Sequence, residues 1–118
     1  MNEARRPVVA LAGTLDTKAT EYAFVKEQVE AMGCDALVID IGVFGNEILT
    51  ADISNAEVAR AAGADLAEFS ARVEGDTRVR ANRAMSEGLT AVLKRLVSEG
   101  RIDAVLGMGG TGGTDSLS

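Results

Sequence analysis

The chain has 118 residues, 47% of them hydrophobic and 25% charged, which is the range of one globular domain rather than a fibrous or disordered chain. A net charge of −6 argues against a general nucleic-acid surface, and no apolar run approaches the ~18 residues of a membrane span. The single cysteine, Cys34, excludes an intrachain disulfide, and the absence of histidine excludes Ser-His-Asp and Cys-His catalysis within the chain.

In chain order, the first apolar run is Val8 to Ala12. It is continuous rather than alternating, as in a strand buried on both faces of a parallel sheet, and it is too short for a signal-peptide core, so the expected location is the cytoplasm. After Gly13-Thr14-Leu15-Asp16-Thr17-Lys18, a helix is expected from about Ala19 to Met32, with Tyr22, Val25, Val29 and Met32 on its apolar stripe and Gly33 as its stop. Ala36 to Ile41 reads as a second buried strand, which completes a strand-helix-strand unit. Gly42 to Asp52 reads as a loop. Ser54 then caps a short helix, Asn55 to Ala62, with Glu57 completing a capping box.

Gly63 to Asp76 carries no clear period; Leu66 and Phe69 fit either a helical turn or an irregular segment. A long helix is expected from Thr77 to about Glu99, with Met85, Leu89, Val92 and Leu96 as its apolar stripe and Gly100 as its end. Ile102 to Met108 is a third strand. The fold class is therefore α/β: a three-layer, doubly wound, Rossmann-like and mainly parallel sheet within a single domain. A Gly-rich turn after a buried strand ordinarily opens into a covering helix, so the sheet reads as incomplete at the C-terminus.

Ligands of doubly wound sheets bind at the carboxyl ends of the strands, and two loops stand there. In the first, Lys18 near a helix N-terminus opposes the helix dipole by ~0.3–1 kcal/mol unless an anion reverses the sign. The plain alternative is a Lys18 turned to water and paired with Glu21. Thr14, Asp16 or Thr17 is the expected cap, and Asp16 is the one candidate for Mg²⁺. The second loop, Gly107-Met108-Gly109-Gly110-Thr111-Gly112-Gly113-Thr114, holds G-x-G-x-x-G directly after a strand. Its glycines let a ligand approach the backbone; the alternative is a loose tail. No Gly-Lys-Ser/Thr occurs, so it is not a Walker A loop. Asp40 with Gly42 to Gly45 either lines the same crevice or forms a plain turn. Arg72, Arg78, Arg80 and Arg83, mixed with Glu74 and Asp76, read as a solvated face, the alternative being that Arg80 and Arg83, as i,i+3 neighbours, together meet a phosphate or a partner; Cys34 reads as inert.

Five ordered segments carry a resemblance: Gly13 to Lys18, Asp40 to Gly45, Ala51 to Ile53 leading into Glu57 to Gly63, Arg83 to Gly88, and Gly107 to Thr114. In order and spacing the chain resembles the Tm-1-like ATP-binding (UPF0261) family, over nearly its whole length. The resemblance implies a two-domain α/β protein several times this length, of which these residues form the first part of the N-terminal nucleotide-binding domain. It implies nucleotide-contacting roles for Gly13, Thr14, Asp16, Thr17 and Lys18, and for Gly109, Gly110, Thr111, Gly112, Gly113 and Thr114. ATP, with Mg²⁺ through Asp16, is the expected ligand, and hydrolysis is not implied because no base is evident. The competing readings are the half-site of an enzyme for a small phosphorylated or carboxylate metabolite, and an oligomerising module in which the long helix packs on a partner. A homo-oligomer and a further C-terminal domain are expected; a nucleic acid or membrane partner is not.

Overall fold

A computed structural model describes residues 6–44, 48–65 and 75–107, the side chains of 75–78 excepted. Leu66, Phe69, Arg72, Glu74, Gly45 and the loop from Gly109 to Thr114 lie outside these residues. Three strands, β1 (Val8–Gly13), β2 (Asp35–Asp40) and β3 (Ala104–Gly107), form one parallel sheet in the order β2-β1-β3. Between β1 and β2 runs the helix α1 (Leu15–Ala31); between β2 and β3 run α2 (Asn55–Ala61) and α3 (Gly75–Ser98).

Side-chain alternation along β1 explains why its apolar run is unbroken. Ala10 and Ala12 face one core with Ile39, Val58, Met85, Leu89, Val92 and Leu96, while Leu11 faces another with Val38, Leu15, Ala19, Tyr22 and Val29. Thus α1 covers one face of the sheet, and α2 and α3 cover the other. The order of strands requires this: the chain steps from β1 to β2 on one side, then crosses back past β1 to β3. With right-handed crossovers, a reversal of direction moves the helices to the opposite face.

The local signals mostly hold. Ser54 Oγ accepts from Glu57 N–H, Glu57 returns the bond to Ser54 N–H, and α2 starts there. Gly33 and Gly100 take φ of +90° and +69° just past the ends of α1 and α3, a conformation that favours residues without a Cβ. The expected stripe Met85, Leu89, Val92 and Leu96 is fully buried. It is buried within this chain, so the stripe is not a surface on which a partner could pack.

Two expectations need correction. α1 begins at Leu15, one turn earlier than its apolar period suggests; Lys18 (φ −125°, ψ 21°) breaks the helical geometry between that first turn and the body from Ala19 onward. Met32 is 74% exposed and not part of the apolar stripe, because the helix ends at Ala31 and the turn at Gly33 directs the chain away. The stretch from Gly42 to Asp52 is followed by a short parallel bridge, Ile39 to Ile53, which pairs with the outer edge of β2. Asp52 Oδ2 also accepts from Val38 N–H there, at 2.8 Å. Among the described residues β3 has no such cover on its outer side, and Val105 and Leu106, which point to opposite faces, are 39% and 40% exposed.

Candidate functional site

The strand order locates the site. The chain leaves β1 towards β2 on one side and returns past it to β3 on the other, so the carboxyl ends of β1 and β3 flank the point where the strand order reverses, the place where doubly wound proteins hold ligands. Ala12 pairs with Gly107 across the two strands. The loop that starts at Gly13 and the glycine loop that starts at Gly107 therefore leave the sheet side by side. The structure brings together the beginnings of both candidate loops; Gly109 to Thr114 themselves lie outside the described residues.

Gly13 is buried beneath the ring of Tyr22, and a Cβ added there would fall 2.2 Å from Tyr22 Cζ. The Tyr22 hydroxyl donates to Ala12 O, so the buried phenol is satisfied and pinned to the end of β1. Thr14 stands at the N-cap in extended conformation, but its side chain makes no capping bond. Its hydroxyl lies 3.1 Å from that of Thr17, and its carbonyl accepts from Thr17 N–H and Lys18 N–H at 3.1 and 2.9 Å. Lys18 is half-buried and makes no ion pair with Glu21 or any other described residue.

None of Thr14, Asp16 and Thr17 caps α1 through its side chain. That role belongs to Asp40, at the end of β2 and 5% exposed. One carboxylate oxygen, Asp40 Oδ1, accepts from Leu15 N–H at 3.2 Å and from Gly42 N–H at 2.8 Å, tying the first turn of α1 to the loop after β2. Asp16 Oδ2 accepts from Phe44 N–H at 3.2 Å, and Asn55 Nδ2 donates to Gly42 O at 2.8 Å. Gly42 has no room for a side chain, since a Cβ there would meet Asp16 Oδ1 at 2.7 Å. The Gly42–Phe44 turn is thus held by three side chains from three elements. Asp40 already stands out in the sequence together with Gly42 to Gly45; its bond to Leu15, far away in sequence, could not be read there.

Burial pushes the Asp40 carboxyl above its ordinary value, the two N–H groups pull against that shift, and the charge of Asp16 adds to it. An acid with a raised folded-state value binds its proton more readily folded than unfolded, so its contribution to stability is full in acid and is lost as pH rises through that value. Asp40→Asn keeps an acceptor oxygen and removes the buried charge. It should raise the melting temperature at pH 7 and lose that advantage towards pH 4. Asp40→Ala, which strands two N–H groups, should lower stability by ~1–3 kcal/mol in urea titrations.

The family model for the N-terminal domain of UPF0261, an uncharacterised protein family, matches residues 7–118. The chain belongs to this family. A UPF0261 protein of Clostridium tetani is 36% identical over 110 residues, which cover 93% of this chain and 26% of that protein. UPF0261 proteins of Brucella suis and Brucella melitensis are each 32% identical over 109 residues, covering 92% of this chain and 25% of theirs. The chain thus spans about a quarter of the length of the curated UPF0261 relatives it matches. No described helix is long and apolar enough to cross a membrane. Among the described residues no three Asp, Glu, Cys or His side chains gather as a metal site.

Proposed function

We propose that this UPF0261 domain is a nucleotide-binding module that holds the phosphates of ATP at the β1/β3 crevice, between the Gly13–Lys18 loop and the Gly109–Thr114 loop, with hydrolysis not implied. The observation that carries the reading is the pairing of Ala12 with Gly107, which starts both loops next to each other at the switch point. Lys18 supports it, as a half-buried cation with no protein counter-charge among the described residues. Asp40 refines it. The Leu15 N–H is already engaged, so the phosphate charge would be met by Lys18 and by backbone N–H groups of the glycine loop rather than by the tip of α1.

Calorimetric titration of the chain with ATP and Mg²⁺ tests the proposal. Binding should weaken about tenfold in Lys18→Ala, equivalent to ~1.4 kcal/mol. No heat from the folded chain would reject the reading for these residues. Heat with small phosphate esters but not with ATP would assign the crevice to a phosphorylated metabolite.

A further inference from the structure

We propose that Asp40 makes ligand binding at this crevice proton-linked, so that an anion arriving at the Gly13–Lys18 loop is accompanied by uptake of a proton on the Asp40 carboxylate. The inference rests on the reading of the crevice as a phosphate site. Its basis is geometric: Asp40 is 5% exposed and spends one oxygen on two N–H groups, Leu15 from the loop and Gly42 from the opposite turn. An anion held by that loop would lie on the order of 10 Å from a buried carboxylate bonded to the loop's first turn, across a protein interior that screens charge less than water does. Two like charges in such a site are relieved by protonating one, and a protonated Asp40 still has an oxygen to accept from the same donors.

The charged groups around Asp40 leave this the easiest route. On α1, Asp16 acts on Asp40 through charge in the same direction as an anion would, and Lys18 lies on the same turn as Asp16. β1 carries no charged side chain. Asp52, beside β2, is turned to Val38 N–H, and Glu57 on α2 to Ser54 N–H. Arg83 and Glu87 on α3 are exposed on the far side of its buried stripe. Burial has already moved Asp40 upward, so less is needed to place the proton.

The experiment is calorimetric titration of the whole chain with ATP at one pH in two buffers of different ionisation enthalpy, for the parent and for Asp40→Asn. ATP's own protonation is common to both proteins and cancels in the difference. The parent is expected to take up a larger fraction of a proton per ATP than the variant, and its affinity to rise as pH falls from 8 to 6. Asp40→Asn should bind about tenfold tighter at pH 8, the like-charge repulsion across ~10 Å at an effective dielectric constant of ~20. Equal proton counts and equal affinities would overturn the role of Asp40 while leaving the nucleotide reading intact. Absence of ATP heat from both proteins would overturn the nucleotide reading and this one with it. Should the variant fail to fold by circular dichroism, the parent alone decides: affinity with no pH dependence beyond that of ATP rejects the proposal.

Discussion

Replacing Gly88 with valine is expected to abolish cooperative folding of this domain. Gly88 lies in the buried part of α3 where α2 crosses it, and a Cβ there would fall 2.0 Å from the Val58 carbonyl oxygen and 2.9 Å from its carbon. Those are backbone atoms of a helix held by a two-way capping box, so they cannot rotate aside as a flexible side chain would. Alanine alone forces the two helices apart. Overpacking of this kind costs ~1–3 kcal/mol or more, against which the better helix propensity of alanine returns only ~1 kcal/mol. Valine adds two further carbons and loses that propensity gain, and a domain of total stability ~5–15 kcal/mol has little to spare. Urea unfolding followed by circular dichroism checks this. Gly88→Ala should shift the midpoint clearly downward, while Thr90→Ala, on the exposed face of α3, should stay within ~0.5 kcal/mol of the parent. A wild-type midpoint for Gly88→Ala would mean that the α2–α3 contact is looser than described.

The second large effect is expected at Gly13, and it separates two reasons for a glycine at a candidate ligand loop. If Gly13 serves only to let a phosphate approach, Gly13→Ala should leave the unliganded domain as stable as before. The ring of Tyr22 predicts otherwise, because the added methyl would fall 2.2 Å from Cζ of a fully buried side chain. Gly13→Ala should therefore cost ~2–3 kcal/mol with no ligand present. Tyr22→Leu should itself cost a comparable amount, from a lost hydrogen bond to Ala12 O and a partly emptied site. In the double variant the alanine has room, and the costs should fall short of additivity by at least ~1 kcal/mol. Strict additivity would rule out the contact as the reason for the glycine.

The parts of this fold that could be read from the sequence are those fixed by short-range chemistry. Val8 to Ala12 reads as a two-sided buried strand because a parallel sheet leaves no polar face to alternate with. The Ser54–Glu57 box and the turns at Gly33 and Gly100 follow from caps that act within three or four residues. What could not be read was the pairing. Nothing in the periodicity of β3 says that it lies against β1 rather than β2, yet that choice creates the switch point and makes neighbours of the two candidate loops.

The residues of the candidate site stand out in the sequence more than their partners do. Gly13 to Lys18 stands out as a loop, but the cap of α1 comes from Asp40, which lies 25 residues from Leu15 and touches it only after β2 has paired with β1. Gly88 reads as a weak helix former. Its packing role appears only once α2 is laid across it.

The two edges of the sheet have a consequence for the crevice between β1 and β3. β1 is bonded on both sides, and β2 has Ile53 and Asp52 along part of its outer edge, whereas β3 has no described neighbour beyond it. Of the three strands, β1 is therefore expected to exchange its amides most slowly, since both of its edges are bonded. A ligand bridging β1 and β3 would tie the outer strand to that anchored centre, and would register as slowed exchange along β3 before any change in shape.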